Sequence, residues 1–204
     1  MVKKRIQLKK IQKRIKNKID SSVRGFRRKV KDVRNNKGEI KPKLDVILVS
    51  VDYNDYLDKS LYHNTKIFKN ITIITHPDDA QCVNICNKYG VNYLLSDDIS
   101  KNKTINKSLG LNKILESLEN PDWVLIIDAD IIINKEIDIN HLNKEYLYTS
   151  GRYICDDMKN YTKWVSGEVN ISHIGKLEAD RGIGFFQLFN YRMKKRYPDS
   201  NYGR

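Results

Sequence analysis

From residue 44 onward the chain alternates between two hydrophobic rhythms. Runs rich in β-branched and large apolar residues at 44–51, 71–75, 91–95 and 124–127 predict short strands, that at 124–127 buried on both faces. Between them, apolar positions recur every three or four residues and predict helices. One runs through Leu61 to Phe68. A second is striped by Ala80, Val83, Ile85, Cys86 and Tyr89 and stops at Gly90. A third carries Ile105, Leu109, Leu111, Ile114, Leu115 and Leu118 and stops before Asn120-Pro121. Strands alternating with helices at this spacing predict an α/β fold, a mostly parallel sheet flanked by helices. Beyond residue 134 the rhythm loosens. Tyr146 to Ser150, Arg152 to Cys155 and Gly182 to Phe189 are short strand candidates, and 197–204 is loop-like.

Residues 1–34 follow another pattern. From Ile11 the apolar positions Ile15, Ile19, Val23, Phe26, Val30 and Val33 follow at intervals of three or four, one stripe along a basic amphipathic helix. Asn35-Asn36-Lys37-Gly38 and Pro42 mark a linker, which sets the expected division at 1–42 and 43–204. Charge sharpens this division. Residues 1–40 hold 16 Lys and Arg against 3 acids, a balance of +13 that equals the net charge of the whole chain. The remainder is neutral. A helix of this kind lies on an anionic membrane surface, or packs on its own domain or a partner helix. Nucleic acid ranks below both, because Phe26 is the one aromatic among these charges.

Cys82, Cys86 and Cys155 form no even framework, which favours a reducing compartment, with Cys82 and Cys86 expected in the core. No apolar run reaches the length of a membrane span, and no apolar segment of a secretory signal opens the chain. The expected location is the cytoplasm, peripheral at the membrane if the basic helix engages it.

The residues with the most chemistry lie at the tip of the fourth strand. Asp128 and Asp130 flank Ala129, and in extended chain both side chains point the same way. Two carboxylates meeting at a strand's carboxyl end, where open α/β sheets bind ligands, suit a hard divalent cation with positions left for phosphate oxygens. The plain alternative is that they cap a turn leading to Ile131.

Three strands with their helices, then Asp128-Ala129-Asp130 on the fourth, resemble the nucleotide-sugar half of GT-A glycosyltransferases, particularly family 2-like enzymes. The resemblance runs from about residue 44 to 204. It includes the Ser50-Val51-Asp52-Tyr53-Asn54 and Thr75-His76-Pro77-Asp78-Asp79 strand exits, Asn106-Lys107 with Asn112, and Gly184 to Phe189. It implies a metal-dependent transfer of sugar from a nucleotide donor, with a UDP-sugar favoured, to the hydroxyl of a glycan or other acceptor. Val51, Tyr53, Asp78 and Asn106 would hold the nucleotide sugar, and Lys107 would reach the diphosphate. Asp128 would meet ribose or metal, and Asp130 would ligate Mn2+ or Mg2+. Asp78 has a second reading as a helix N-cap.

An inverting enzyme of this type also needs a general base. Its usual acidic motif falls beyond Arg204, which leaves Asp180 and Asp199, with Glu168 behind them, as candidates and suggests a shortened domain. Trp164 and Phe185 are candidates to stack on a sugar. Two other readings stay open. One is a nucleotidyltransferase, which shares the nucleotide, metal and acids. The other is a GT-A-like binding protein without its base, delivered to a membrane or polyanion by the basic helix. A phosphohydrolase fits poorly, because its acids normally follow the first strand.

Overall fold

The computed structural model describes residues 42–101, 104–155, 157–170, 177–178 and 186–193, all in the second of two units into which the chain divides, Pro42–Arg204. The basic helix expected over residues 1–34 lies outside the described residues, as do 182–185 of the late strand.

The apolar runs form the strands β1 (Leu44–Val49), β2 (Ile71–Thr75), β3 (Asn92–Leu95) and β6 (Trp123–Ile127), joined by β9 (Phe186–Asn190) in one sheet of order β3-β2-β1-β6-β9. The first four run parallel, with Val46 opposite both Ile71 and Leu125. β9 returns antiparallel, pairing Trp123 with Asn190. The sheet is thus mostly parallel within an α/β fold. The short strands β4 (Ser100–Lys101) and β5 (Thr104–Ile105) pair with each other, as do β7 (Arg152–Tyr153) and β8 (Leu177–Glu178).

Alternation along the strands supplies two cores. Val46, Leu48, Ile71, Ile73, Trp123, Leu125 and Ile127 pack on one face beneath α1 (Asn54–Asn64) and α2 (Ala80–Tyr89). Ile47, Ile74, Val124 and Ile126 pack on the other beneath Leu111, Ile114 and Leu115 of α3 (Lys107–Ser117). All five residues of β6 are buried, as a strand covered on both faces requires. Gly90 closes α2 in the left-handed conformation, φ 65°.

Three expectations shift. Tyr146 to Ser150 contributes a single bridge, Tyr148 to Leu188, because its residues lie mostly exposed and only Tyr148 reaches the sheet edge. The helix after β1 begins at Asn54 and ends at Asn64, before Phe68; the chain closes with turn bonds from Ile67 and Phe68 N–H to the Asn64 carbonyl. A short helix not foreseen, α4 (Met158–Val165), is capped by Asp157, which accepts from Asn160 N–H at 2.6 Å. Cys82 and Cys86 are buried as expected and unbridged, and Cys155 is exposed. No helix among the described residues is long and apolar enough to cross a membrane.

Candidate functional site

The strand order reverses direction at β1: β2 and β3 lie to one side, and β6 is laid down on the other. At such a switch point the loops leaving the two central strands diverge and open a crevice at their carboxyl ends. A cavity of about 280 Å³ sits there, lined by Val49, Ser50, Val51, Tyr53, Ile105, Lys107, Asp128, Ala129 and Asp130.

Three local devices shape it. The first is the turn after β6. The strand ends at Ile127, so the two-residue period of extended chain stops before the acids. Ile131 N–H instead donates to the Asp128 carbonyl at 3.1 Å, folding Asp128 to Ile131 into a turn. Both acids thus lie in a turn closed by a backbone carbonyl, and both line the cavity. α1 fixes this turn from below. Buried Ser60 donates its hydroxyl to the Ala129 carbonyl at 2.6 Å. Asn64, one helical turn on, donates to the Ile131 carbonyl at 2.8 Å and accepts from Ile133 N–H at 2.9 Å.

The second device is the start of α3. Asn106 caps it, its side-chain oxygen accepting from Leu109 N–H at 3.0 Å, so Asn106 serves the helix and does not line the cavity. Lys107 is the first helical residue, and its ammonium forms an ion pair with the Asp128 carboxylate. Gly110, one turn further, sets how near α3 comes to the sheet: a Cβ there would lie 2.9 Å from a Val49 methyl and 3.1 Å from an Ile74 methyl.

The third is the exit from β1. Asp52 adopts φ 55°, a left-handed conformation that Asp tolerates better than most residues. Its N–H donates to Asp79 Oδ2 at 2.8 Å, while Asp79 Oδ1 accepts from Asn54 Nδ2 and from Cys82 N–H, both at 3.0 Å. Asp79, buried, is therefore both the cap of α2 and the clamp that joins the β1 and β2 exits. The cap expected at Asp78 falls one residue later. Asp78 itself has a side chain 92% exposed, 3.5 Å from the His76 imidazole, and it does not line the cavity.

Tyr53 lines the cavity with its ring stacked on Tyr56 at 4.7 Å between centroids. Burial first, then the charge of Asp130, raises its phenol above the ordinary value of 10.0, with Tyr56 and Asp128 adding to this. At neutral pH Tyr53 is therefore a protonated hydrogen-bond donor beside two carboxylates.

Of the residues singled out in the sequence, the structure gathers Val51, Tyr53, Lys107, Asp128 and Asp130 at one cavity and leaves Asp78 and Asn106 outside its lining. Asp180, Asp199 and Phe185 lie outside the described residues. Glu168 is exposed and accepts from Ser166 at 2.8 Å. Trp164 sits against His63, ring centroids 5.2 Å apart, on the outer side of α1, and takes no part in the cavity lining. Asp79 entered the sequence reading only within the β2 exit; Ser60 and Asn64 escaped it. Their signal was present: Leu57, Ser60, Leu61 and Asn64 occupy one i, i+3, i+4, i+7 helix face, so two polar residues share a buried stripe.

Among the described residues no three His, Cys, Asp or Glu side chains gather to hold a metal ion alone. Two carboxylates on one cavity do fit a cation that arrives with phosphate oxygens, the usual pattern for Mg2+-like ions.

No protein-family model matches this chain, and no curated protein does. Solved structures similar to it include a mannosyltransferase from Pyrobaculum calidifontis with GDP-Man and Mn2+, at 13% identity and TM-score 0.39, covering 48% of this chain and 30% of that one. Another is glucosyl-3-phosphoglycerate synthase from Mycobacterium tuberculosis with UDP, at 10% identity and TM-score 0.45, covering 74% and 57%. A third is 4-diphosphocytidyl-2C-methyl-D-erythritol synthase, at 13% identity and TM-score 0.46, covering 75% and 77%. The chain spans about a third of the first of these and just over half of the second. Glycosyltransferases are thus among the solved structures similar to this chain, at TM-scores below 0.5.

Proposed function

We propose that this chain binds a nucleoside diphosphate sugar, with a UDP-sugar as the first donor to test, and transfers the sugar to an acceptor hydroxyl. The observation that carries this reading is the convergence of Lys107, Asp128 and Asp130, from two separate elements, on one cavity at the switch between β1 and β6. A cavity of about 280 Å³ is close to the lower end of small-molecule sites, about 300 Å³, and suits a diphosphate with part of its donor.

Each residue then has a task its surroundings support. Asp128 and Asp130 are the oxygen donors for a Mn2+ or Mg2+ ion bound with the diphosphate. Such an ion would supply positive charge against the phosphate oxygens as the sugar bond breaks. Lys107, a point charge on a flexible stem, would donate to the same oxygens and hold the departing diphosphate. The Tyr53 ring offers a stacking face for the base, and its protonated phenol a donor for ribose or phosphate. Val51, buried in the cavity wall, supplies apolar contact. Asp180 or Asp199 would serve as the general base of an inverting transfer.

The test is nucleotide release from a panel of UDP-, GDP- and ADP-sugars with Mn2+, using simple glycans as acceptors. Release from one donor is expected, and Asp130→Ala should lower it by about 100-fold, the scale of losing a principal electrostatic group. Absence of release from every donor, or release unaffected by Asp130→Ala, would contradict the reading.

A further inference from the structure

The two acids of the cavity are not in equivalent states. Asp128 already has a cation, the Lys107 ammonium, and both side chains of that pair are partly exposed, 36% and 41%. Asp130 occupies an exposed turn position on the same cavity. A divalent ion approaching this site alone meets one carboxylate already neutralised and a positive charge beside it.

The backbone beneath Lys107 is held by the fold, whereas its side chain is partly exposed and held only by the ion pair with Asp128 among the contacts of the cavity. The Asn106 cap holds the first turn of α3, and Gly110 seats the helix hard against Val49. Any change of partner by Lys107 is therefore a rotation of its own stem, which needs no movement of the helix. A diphosphate provides the second partner, since its oxygens accept from an ammonium and from a cation together.

Building on the donor-site reading above, we propose that Lys107 is a built-in competitor of the metal: it occupies Asp128 in the ligand-free protein and moves to the diphosphate when cation and nucleotide arrive together. The site then discriminates against a free cation and favours the cation–diphosphate unit. The gain lies in coupling, because each ligand removes an obstacle to the other.

Mn2+ binding without nucleotide, read by electron paramagnetic resonance of the free ion, tests this in the full chain, in Lys107→Met and in Lys107→Arg. Stabilisation by UDP with Mn2+ is measured on the same three proteins. Removing a like charge from beside the ion should tighten binding of Mn2+ alone by about fivefold or more. The same Lys107→Met change should weaken binding of UDP with Mn2+, while Lys107→Arg keeps Mn2+ affinity at the wild-type level. Opposite shifts for the two ligands are not what general loosening of the fold would produce. Mn2+ affinity equal in wild type and Lys107→Met, or undetectable in both, overturns the inference while diphosphate binding to wild type leaves the donor site standing. Failure of every nucleoside diphosphate to stabilise wild type with Mn2+ overturns the donor-site reading and the inference with it.

Discussion

Gly110 is a single position on which the geometry of the charged site depends. A side chain there would press on methyls of Val49 and Ile74, residues of the two strands beneath α3, at 2.9 and 3.1 Å. Gly110→Ala gains up to about 1 kcal/mol of helix propensity, but overpacking a core contact costs about 1–3 kcal/mol, so net destabilisation is expected. The lifted helix carries Lys107 with it. A lower melting temperature together with weaker diphosphate binding is the expected pair of results; an unchanged melting temperature would show that α3 has slack. His63 is informative in another way. Burial first, then the charge of Lys66, holds its imidazole below the ordinary 6.5. Between that lowered value and 6.5 the unfolded chain binds more protons, so this contribution to stability is complete above 6.5 and is lost as pH falls through 6.5 toward the lowered value. Melting temperature measured from about pH 7.5 down to pH 5 should fall less steeply in His63→Phe than in wild type; equal slopes would contradict the assignment.

At the scale of elements, the dependence of the Asp128–Ile131 turn on α1 is the least obvious feature. Asn64, 1% exposed, satisfies one backbone carbonyl and one N–H of the chain beyond β6. Asn64→Ala strands both, at about 1–3 kcal/mol each, so a loss of about 2–6 kcal/mol in urea unfolding is expected. Ligand binding should weaken too, since the turn that presents Asp130 loses its anchor; a loss under about 1 kcal/mol would mean that water replaces the side chain. The sequence announces the elements themselves through their periods: β2 is found where the run Ile71 to Thr75 places it, and α2 ends at the glycine that can take a positive φ. The stripe of α4, Met158, Tyr161, Trp164 and Val165 after the cap Asp157, is also written in the sequence, but it spans only eight residues, none of them buried. The sequence does not assign the partners of Asp79 or Asn64. The bonds from Asp79 to Asp52 and Asn54, and from Asn64 to Ile131 and Ile133, span 25 to 69 residues and arise when strands and helices are packed, so no local spacing encodes them.

Over the whole molecule, charge and chemistry are segregated. The first 40 residues carry the entire +13, and every described element of the α/β unit lies after them. We propose that the basic segment acts as a membrane-surface attachment while the α/β unit binds the donor. Deleting residues 1–40 should leave diphosphate binding intact and abolish sedimentation with vesicles containing anionic lipid; retained sedimentation would contradict the attachment role. The candidate site was legible in the sequence at the Asp-Ala-Asp turn and Lys107, because strand tips and helix starts are set by local pattern. Asp78 and Asn106 lie outside the cavity lining: Asp79, not Asp78, takes the cap of α2, and the Asn106 side chain caps α3.

The most direct measurement is thermal unfolding of wild type and Asp130→Asn with UDP, GDP and ADP, each with and without Mn2+. At a concentration about 100 times its dissociation constant a ligand stabilises by roughly 2.7 kcal/mol, which for a chain of this size raises the melting temperature by about 5–10 °C. Such a rise is expected with one diphosphate, dependent on Mn2+ and lost in Asp130→Asn. No rise with any diphosphate, or a rise that persists in Asp130→Asn, would contradict a nucleoside diphosphate site at the tip of β6.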